Sequence, residues 1–341
     1  MSAAKLRVGI LGGGWPGQRH AEGFAASGVW RIVAVADADP LRRNALADAW
    51  RATPMASAEA LFGCSDLDAV VVALPTFLHH PMVTAALAAG KHVLCEKPPA
   101  LNAAEARAMA DVAERHGRVL GFGMQRRAMS SAIAAHALIA QGELGEIYHA
   151  RAVFTRSWGA PVGADGWFRD AAKAGGGPLI DIGIHVLDLA WYLMGRPQPV
   201  GASGVIHDRA AATSPVESSA FGLLRFAGGR SIQLEAAWIL PQSEDALSVQ
   251  LFGAKAGALI EQGKLTVTRV GEAGVEEIRP PILIGWPEAY VGPFQVQASR
   301  FAAAIRRPDA NLASAEDGIR LMEMIDALYA SGKEQREIEL G

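Results

Sequence analysis

Through the first 125 residues, short β-branched runs alternate with alanine-rich stretches of helical period. The runs "LRVGILG" (6–12), "RIVAVAD" (31–37), "DAVVVALP" (68–75), "HVLCE" (92–96) and "RVLGFG" (118–123) read as strands, with helical patterns near 15–27, 40–51, 79–89 and 102–116 between them. Strands separated by helices imply right-handed crossovers, so the pattern predicts an α/β, doubly wound parallel sheet. After residue 145 the rhythm changes. "EIYHARAVFTRSW" (146–158), then "VESSAFGLLRFAGG", "RSIQLEAAWIL", "ALSVQLFG", "GALIEQG" and "KLTVTRVG" between 216 and 271, read as consecutive strands joined at glycines. Such a run predicts an α+β domain with a large, mostly antiparallel sheet, one face of which takes a helix at 178–194. The segments "FQVQASRFAAAIRR" and "SAEDGIRLMEMIDALYA" are helical, the second capped by Ser314. The expected domains are 1–125 and 126–341.

At 341 residues the chain is too long for one ordinary core, which agrees with two domains. Half of it is hydrophobic and a fifth charged, with a formal net charge of -3. A near-neutral chain without a long basic run has no electrostatic reason to seek phosphate backbones or lipid, so no nucleic acid and no membrane are expected as partners. Cys64 and Cys95 lie far apart without CxxC or His spacing, which argues against a disulfide scaffold and a zinc site; no metal is expected. The opening "MSAAKLRVGILGGG" is too short in apolar residues for a signal peptide, and no run reaches the roughly 20 residues of a membrane span. The expected location is cytoplasmic.

The first glycines change the picture from fold to ligand. "VGILGGGWPGQRHAEGF" holds Gly12, Gly14 and Gly17 as GxGxxG directly after a strand and opening a helix. Glycines let the backbone approach a pyrophosphate, and the helix N-terminus supplies amides and positive dipole. Asp37 ends the second strand, where a carboxylate accepts hydrogen bonds from the adenosine ribose diol and repels a ribose phosphate. NAD is therefore favoured over NADP, with Arg42 and Arg43 keeping NADP as the minority alternative. The first domain reads as a Rossmann-like dinucleotide-binding domain.

The stretch "DAVVVALPTFLHHPMVTAALAAGKHVLCEKPPALNAAEARAM" resembles the second half of the nucleotide domain in the glucose-fructose oxidoreductase and inositol dehydrogenase (Gfo/Idh/MocA) family. The resemblance rests on "LPTFLHH", "AGKHV" and above all "EKP" at Glu96, Lys97 and Pro98. Farther on, "GGGPLIDIGIHVLDL" is similar to that family's second-domain signature, and the tail "SAEDGIRLMEMIDALYASGKEQREIEL" to its closing pattern. The chain departs from the family at Thr76, where Asn is frequent, and at "GMQRRA" (123–128), where an Arg-Phe pair is more usual.

Lys97 is predicted at the carboxyl end of a parallel strand, the edge where open α/β sheets bind ligands. A lysine near a cationic nicotinamide can share a proton with a substrate hydroxyl. "GGGPLIDIGIHVLDLAWY" (175–192) sets Asp181, His185 and Asp188 at steps of four and three on one face of a helix opened by Gly177 and Pro178. Imidazole titrates near the working pH and suits removal of a hydroxyl proton, with Asp181 orienting it or binding a hydroxyl. The spacing predicts that Asp181 and His185 face out of the core, with Asp188 as support. By resemblance, Lys97, Asp181 and His185 form the catalytic group. Gly12, Gly14, Trp15, Pro16, Gly17, Asp37, Pro75, Thr76, His79, Glu96, Lys97 and Gln125 are expected along the cofactor. The adjacent His79 and His80 point apart on a helix, which excludes a shared metal.

Substrate contacts are expected from Lys97, Asp181, His185 and the aromatic loop at 154–170 with Arg156, Trp158 and Trp167; aromatic faces and polar forks suit a sugar ring. The resemblance implies an NAD(P)-dependent dehydrogenase acting on a secondary alcohol of a sugar, cyclitol or glycoside. A glycosidase using NAD for transient oxidation and a non-catalytic nucleotide-sensing regulator are the alternatives. The second domain is expected to bind substrate and to form a homodimer or homotetramer through its sheet.

Overall fold

In a computed structural model of the chain, which describes residues 4–157, 166–208, 216–271, 274–280, 291–307 and 312–341, the alternating first segment becomes a run of strands and helices. It comprises β1 (Leu6–Leu11), α1 (Trp15–Ala26), β2 (Trp30–Ala36), α2 (Pro40–Trp50), β3 (Thr53–Met55), α3 (Ala58–Phe62), β4 (Ala69–Val72), α4 (His79–Ala88), β5 (His92–Cys95), α5 (Ala103–Arg115) and β6 (Leu120–Phe122). There follow α6 (Ser130–Ala140), β7 (Ile147–Thr155), α7 (Ala171–Ala174), α8 (Ile184–Leu193), β8 (Pro199–His207), β9 (Ser219–Phe226) and β10 (Arg230–Ala237). Next come β11 (Ala246–Gly253), β12 (Gly257–Glu261), β13 (Lys264–Gly271) and β14 (Gly274–Ile278), then α9 (Val291–Arg306), β15 (Ala313–Ser314), α10 (Ala315–Glu334) and β16 (Ile338–Glu339). The chain forms two units, Met1–Ala128 with Pro287–Ile319, and Met129–Trp286 with Arg320–Gly341. The sequence pattern places everything beyond 125 in the second domain, whereas 287–319 cluster with the first unit.

The first unit holds a sheet in the order β15-β6-β5-β4-β1-β2-β3, parallel except for the two-residue β15. The order reverses between β1 and β4, the switch point at whose carboxyl edge open α/β sheets bind ligands. Side-chain caps start some of its helices: Asp39 accepts the N–H of Leu41 at 2.9 Å for α2, and Asn102 that of Glu105 at 3.0 Å for α5. One core cluster joins Val8, Ile10, Phe24 and Trp30 to Ala298, Phe301 and Ala302 of α9. Trp30 stacks on Phe301 at 5.5 Å, and its Nε1 donates to the Ala298 carbonyl at 2.8 Å.

The second unit holds a nine-stranded sheet in the order β14-β13-β12-β11-β7-β10-β9-β8-β16. Its neighbours are antiparallel except β7 and β10. Alternation is clear on β10, where Ile232, Leu234 and Ala236 are buried and Gln233 is exposed. Every residue of α8 is buried, as its apolar sequence requires. The pattern missed β3, α3, α6, α7, β8 and β14, and the two-residue β15 and β16. "SSAIAAHALIA" (α6) is apolar on nearly every side and lacks a capping side chain, and "PVGASGVIH" (β8) is diluted by Gly and Ser, so neither shows a clean period.

Candidate functional site

At the end of β1 the backbone turns where no side chain fits. Gly12 has φ +104°, and a Cβ there would lie 2.2 Å from the Ala73 carbonyl oxygen; a Cβ on Gly17 would lie 1.9 Å from that of Gly12. Gly14 occupies the cap of α1, Trp15 and Pro16 begin it, and no side chain caps the helix. A helix N-terminus without a side-chain cap offers its positive dipole end to an anionic ligand. Asp37, just past β2, accepts the N–H of Gly13 at 2.6 Å through Oδ2 and that of Asp39 at 2.7 Å through Oδ1. Arg42 is turned onto Asp39 (3.3 Å) and Arg43 onto Asn44 (3.3 Å). A side-chain-free turn, uncapped amides and a carboxylate at the next strand end fit a dinucleotide with an unphosphorylated ribose.

The next parallel strands carry the lysine. Pro75 caps a single tight turn at Thr76–Leu78, and Thr76 is buried. His79 follows, fully buried, with Nδ1 2.8 Å from the Pro98 carbonyl and Nε2 2.8 Å from the Leu74 carbonyl. Burial lowers its pKa, against the opposing pull of those carbonyls. Both ring nitrogens face backbone oxygens, so the side chain pins the loop that follows Lys97. Glu96 is buried at the end of β5; Oε1 lies 2.6 Å from His20 Nε2, and Oε2 accepts the Lys97 N–H at 3.0 Å. Lys97 is half-buried and is joined to Pro98 by a cis peptide. Gln125 lies in the turn after β6, its Oε1 buried without a hydrogen-bond partner among the described residues.

In the second unit the triple glycine makes room for two buried groups. A Cβ on Gly176 would lie 2.0 Å from Tyr329 Oη, and one on Gly177 would lie 2.3 Å from the Glu217 carbonyl oxygen. The Glu217 carboxylate accepts the N–H of Gly177 (2.7 Å) and of Leu179 (3.1 Å) and the hydroxyl of Tyr329 (2.8 Å). An acid thus satisfies the first amides of the segment that carries Asp181 and His185.

That segment is not one α-helix. Leu179–Gly183 is a π-helical turn and α8 begins at Ile184. The wider i→i+5 turn breaks the four-residue return on which the single polar stripe depends. Asp181 is half-buried and accepts from Trp238 Nε1 at 3.1 Å, whereas His185 and Asp188 are buried. The His185 ring lies 6.4 Å from Phe154, and the Arg156 guanidinium sits 5.8 Å over the same Phe154 ring. Trp167 is half-buried and stacks on Phe168 at 3.9 Å. Trp158 lies outside the described residues. His20, Glu217, Trp238 and Tyr329 escaped the sequence reading; a lone acid before a strand, at Glu217, was the one visible signal. Among the described residues no group of three or more His, Cys, Asp or Glu could hold a metal ion, and no helix is long and apolar enough to cross a membrane.

Residues 6–124 match the family model described as "Oxidoreductase family, NAD-binding Rossmann fold", and residues 133–259 match the "GFO/IDH/MocA C-terminal domain". The chain belongs to the Gfo/Idh/MocA oxidoreductase family. It is similar to D-glucoside 3-dehydrogenase of Escherichia coli (strain K12), 31% identical over 100% of this chain and 99% of that one. Inositol 2-dehydrogenase of Rhizobium meliloti (strain 1021) is 28% identical over 98% of this chain and 99% of its own. Among solved structures, GenD2 from gentamicin A biosynthesis in complex with NAD superposes with a TM-score of 0.85 at 26% identity, covering 100% of this chain and 98% of that one. As a Gfo/Idh/MocA member the chain is an NAD(P)-dependent oxidoreductase with a Rossmann-like first domain and a mostly antiparallel second one, in line with the sequence resemblance.

Proposed function

We propose that this Gfo/Idh/MocA protein is an NAD-dependent dehydrogenase that oxidises a secondary alcohol of a sugar, cyclitol or glycoside, or reduces the corresponding ketone. The observation that carries the reading is the presence of Lys97 on the glutamate-anchored turn, together with Asp181 and His185, in a chain that aligns end to end with a D-glucoside 3-dehydrogenase. NAD supplies the acceptor for the hydride that leaves the alcohol carbon. Lys97 hydrogen-bonds the reacting oxygen and stabilises the negative charge that develops there. His185 takes the hydroxyl proton, and Asp181, steadied by Trp238, binds or orients a hydroxyl. Gly12, Gly14, Trp15, Pro16 and Gly17 cradle the pyrophosphate, Asp37 takes the ribose diol and excludes a phosphate, and Pro75, Thr76, Glu96 and Gln125 border the rest of the cofactor. Arg156, Trp158 and Trp167 complete the substrate pocket.

The protein is proposed to be cytoplasmic and to self-associate as a homodimer or homotetramer. Support comes from Val205, Phe221 and Leu223 on one face of the large sheet, of which Val205 and Leu223 are exposed. The deciding experiment is a panel of methyl glucosides, levoglucosan and inositols with NAD or NADP, read by absorbance of the reduced cofactor. Reduction of NAD by at least one compound is expected. Failure of every compound with both cofactors overturns the reading, and sugar hydrolysis without net NADH would reassign the protein as a glycosidase.

A further inference from the structure

His20 is a buried imidazole that the chemistry above does not use. It lies three residues past Gly17 on α1, the helix that the glycine turn opens, and its side chain has no exposure. Nε2 is 2.6 Å from Glu96 Oε1, while Glu96 Oε2 accepts the Lys97 N–H at 3.0 Å. One carboxylate therefore ties the nucleotide-loop helix to the peptide of the lysine.

Packing does not explain this histidine. Its Nδ1 is buried with no hydrogen-bond partner among the described residues, and its ring lies edge-to-face with Phe294 at 4.9 Å and Phe24 at 6.2 Å. A phenyl ring would fill the same apolar space without a stranded nitrogen, so a fold needing only volume here gains nothing from imidazole. Space for the carboxylate is kept open as well: a Cβ on Gly123 would lie 3.1 Å from Glu96 Oε1 and 3.2 Å from its Cα. Burial alone would push the Glu96 carboxyl up. The His20 hydrogen bond and the charges of His20 and Lys97 outweigh burial and hold it below the usual glutamate range. From the other side of the turn, His79 faces the Pro98 carbonyl. The turn is thus gripped at the Lys97 N–H and at the Pro98 C=O.

We propose that His20 is a positioning residue for Lys97, acting through Glu96: its N–H donor orients the carboxylate, and the carboxylate holds the peptide that presents the lysine. The inference rests on the reading of Lys97 as the reactive lysine. Its test does not require turnover.

Trinitrobenzenesulfonate modifies free amines, and peptide mass mapping of the full-length protein gives the rate at Lys97 against the half-exposed Lys173 as internal control. In His20→Phe the ring packing stays and the donor goes; in His20→Gln an amide N–H reaches the place of Nε2. Loss of one buried hydrogen bond is expected to speed Lys97 labelling by roughly threefold or more in His20→Phe, with Lys173 unchanged and His20→Gln close to wild type. NAD affinity, read by tryptophan fluorescence, is expected to stay within about threefold in both variants. If His20→Phe fails to fold, His20→Asn, polar but too short to reach Glu96, carries the same expectation. Wild-type labelling of Lys97 in the donor-less variant overturns the proposal. So does equal acceleration in His20→Gln, because the donor would then be irrelevant. Failure of the sugar panel would count against the dehydrogenase reading alone.

Discussion

Asp37 holds the glycine loop through both carboxylate oxygens, and the proposed ribose contact would add to that role. Its two oxygens already accept the amides of Gly13 and Asp39, and each keeps a lone pair for a ribose hydroxyl. Asp37→Ala is expected to reduce the NAD over NADP preference, measured as a ratio of kcat/KM, by about tenfold, or roughly 1.4 kcal/mol; an NADP preference already present in the wild type would assign selectivity to the arginines. Lys97→Ala is expected to abolish turnover of the panel substrate while NAD affinity stays within about tenfold, and unchanged activity would refute the lysine's role. The glycines, Asp37 and Lys97 were legible because each sits at a fixed offset from a strand end within one βα unit. His20 and Trp238 were not, because their partners lie 76 and 57 residues away and a lone polar residue in an apolar run names no partner.

At the scale of elements, the segment 175–193 is defined by what holds its start. Glu217 and Tyr329 fill the space left by the glycines, and the π turn then sets Asp181 apart from α8. Tyr329→Phe removes one hydrogen bond to the carboxylate and is expected to cost about 1 kcal/mol, read as a lowered Tm, with a fall in kcat larger than any change in NAD affinity. Burial raises the Glu217 pKa, against the Tyr329 hydroxyl and the two amides. Below the ordinary glutamate range the group is protonated folded and unfolded alike. As pH climbs through the raised folded value, the native state must charge a buried carboxylate, and the stability carried by this group declines. The Tm advantage of wild type over Glu217→Gln is therefore expected to be greatest in acid and to shrink as pH rises; an advantage that grows with pH would contradict it. Helical periodicity identified the segment. It could not show a π turn, because one wider turn of five residues is too short to leave a period of its own.

At the scale of the molecule, both sheets and their order of appearance follow from the switch in period near residue 145, but the path of the chain does not. Residues 287–319 belong with the first unit. They are tied in by α9 and by a buried pair in which Arg127 Nη1 meets Asp317 Oδ2 at 2.6 Å. Asp317 also exchanges hydrogen bonds with Ser314 at the start of α10 (3.2 and 3.3 Å), which is the cap the sequence foresaw. Asp317→Asn removes the carboxylate charge from the buried pair with Arg127 and is expected to destabilise the first unit by about 3 kcal/mol in urea unfolding; a change near zero would show that the pair is dispensable. An apolar amphipathic helix such as α9 announces that it must be buried. Nothing in its own residues says against which sheet.

The return of α9 bears on how the protein is made. Phe24 and Trp30 are synthesised early, yet Ala298 and Phe301, which complete their core, leave the ribosome only after eight of the nine strands of the larger sheet. The nucleotide half therefore cannot finish folding as an N-terminal piece during translation. The later half waits as well: β16, which completes its sheet, and Tyr329, which holds Glu217, are made only after α9, so both halves are finished by the last stretch of chain.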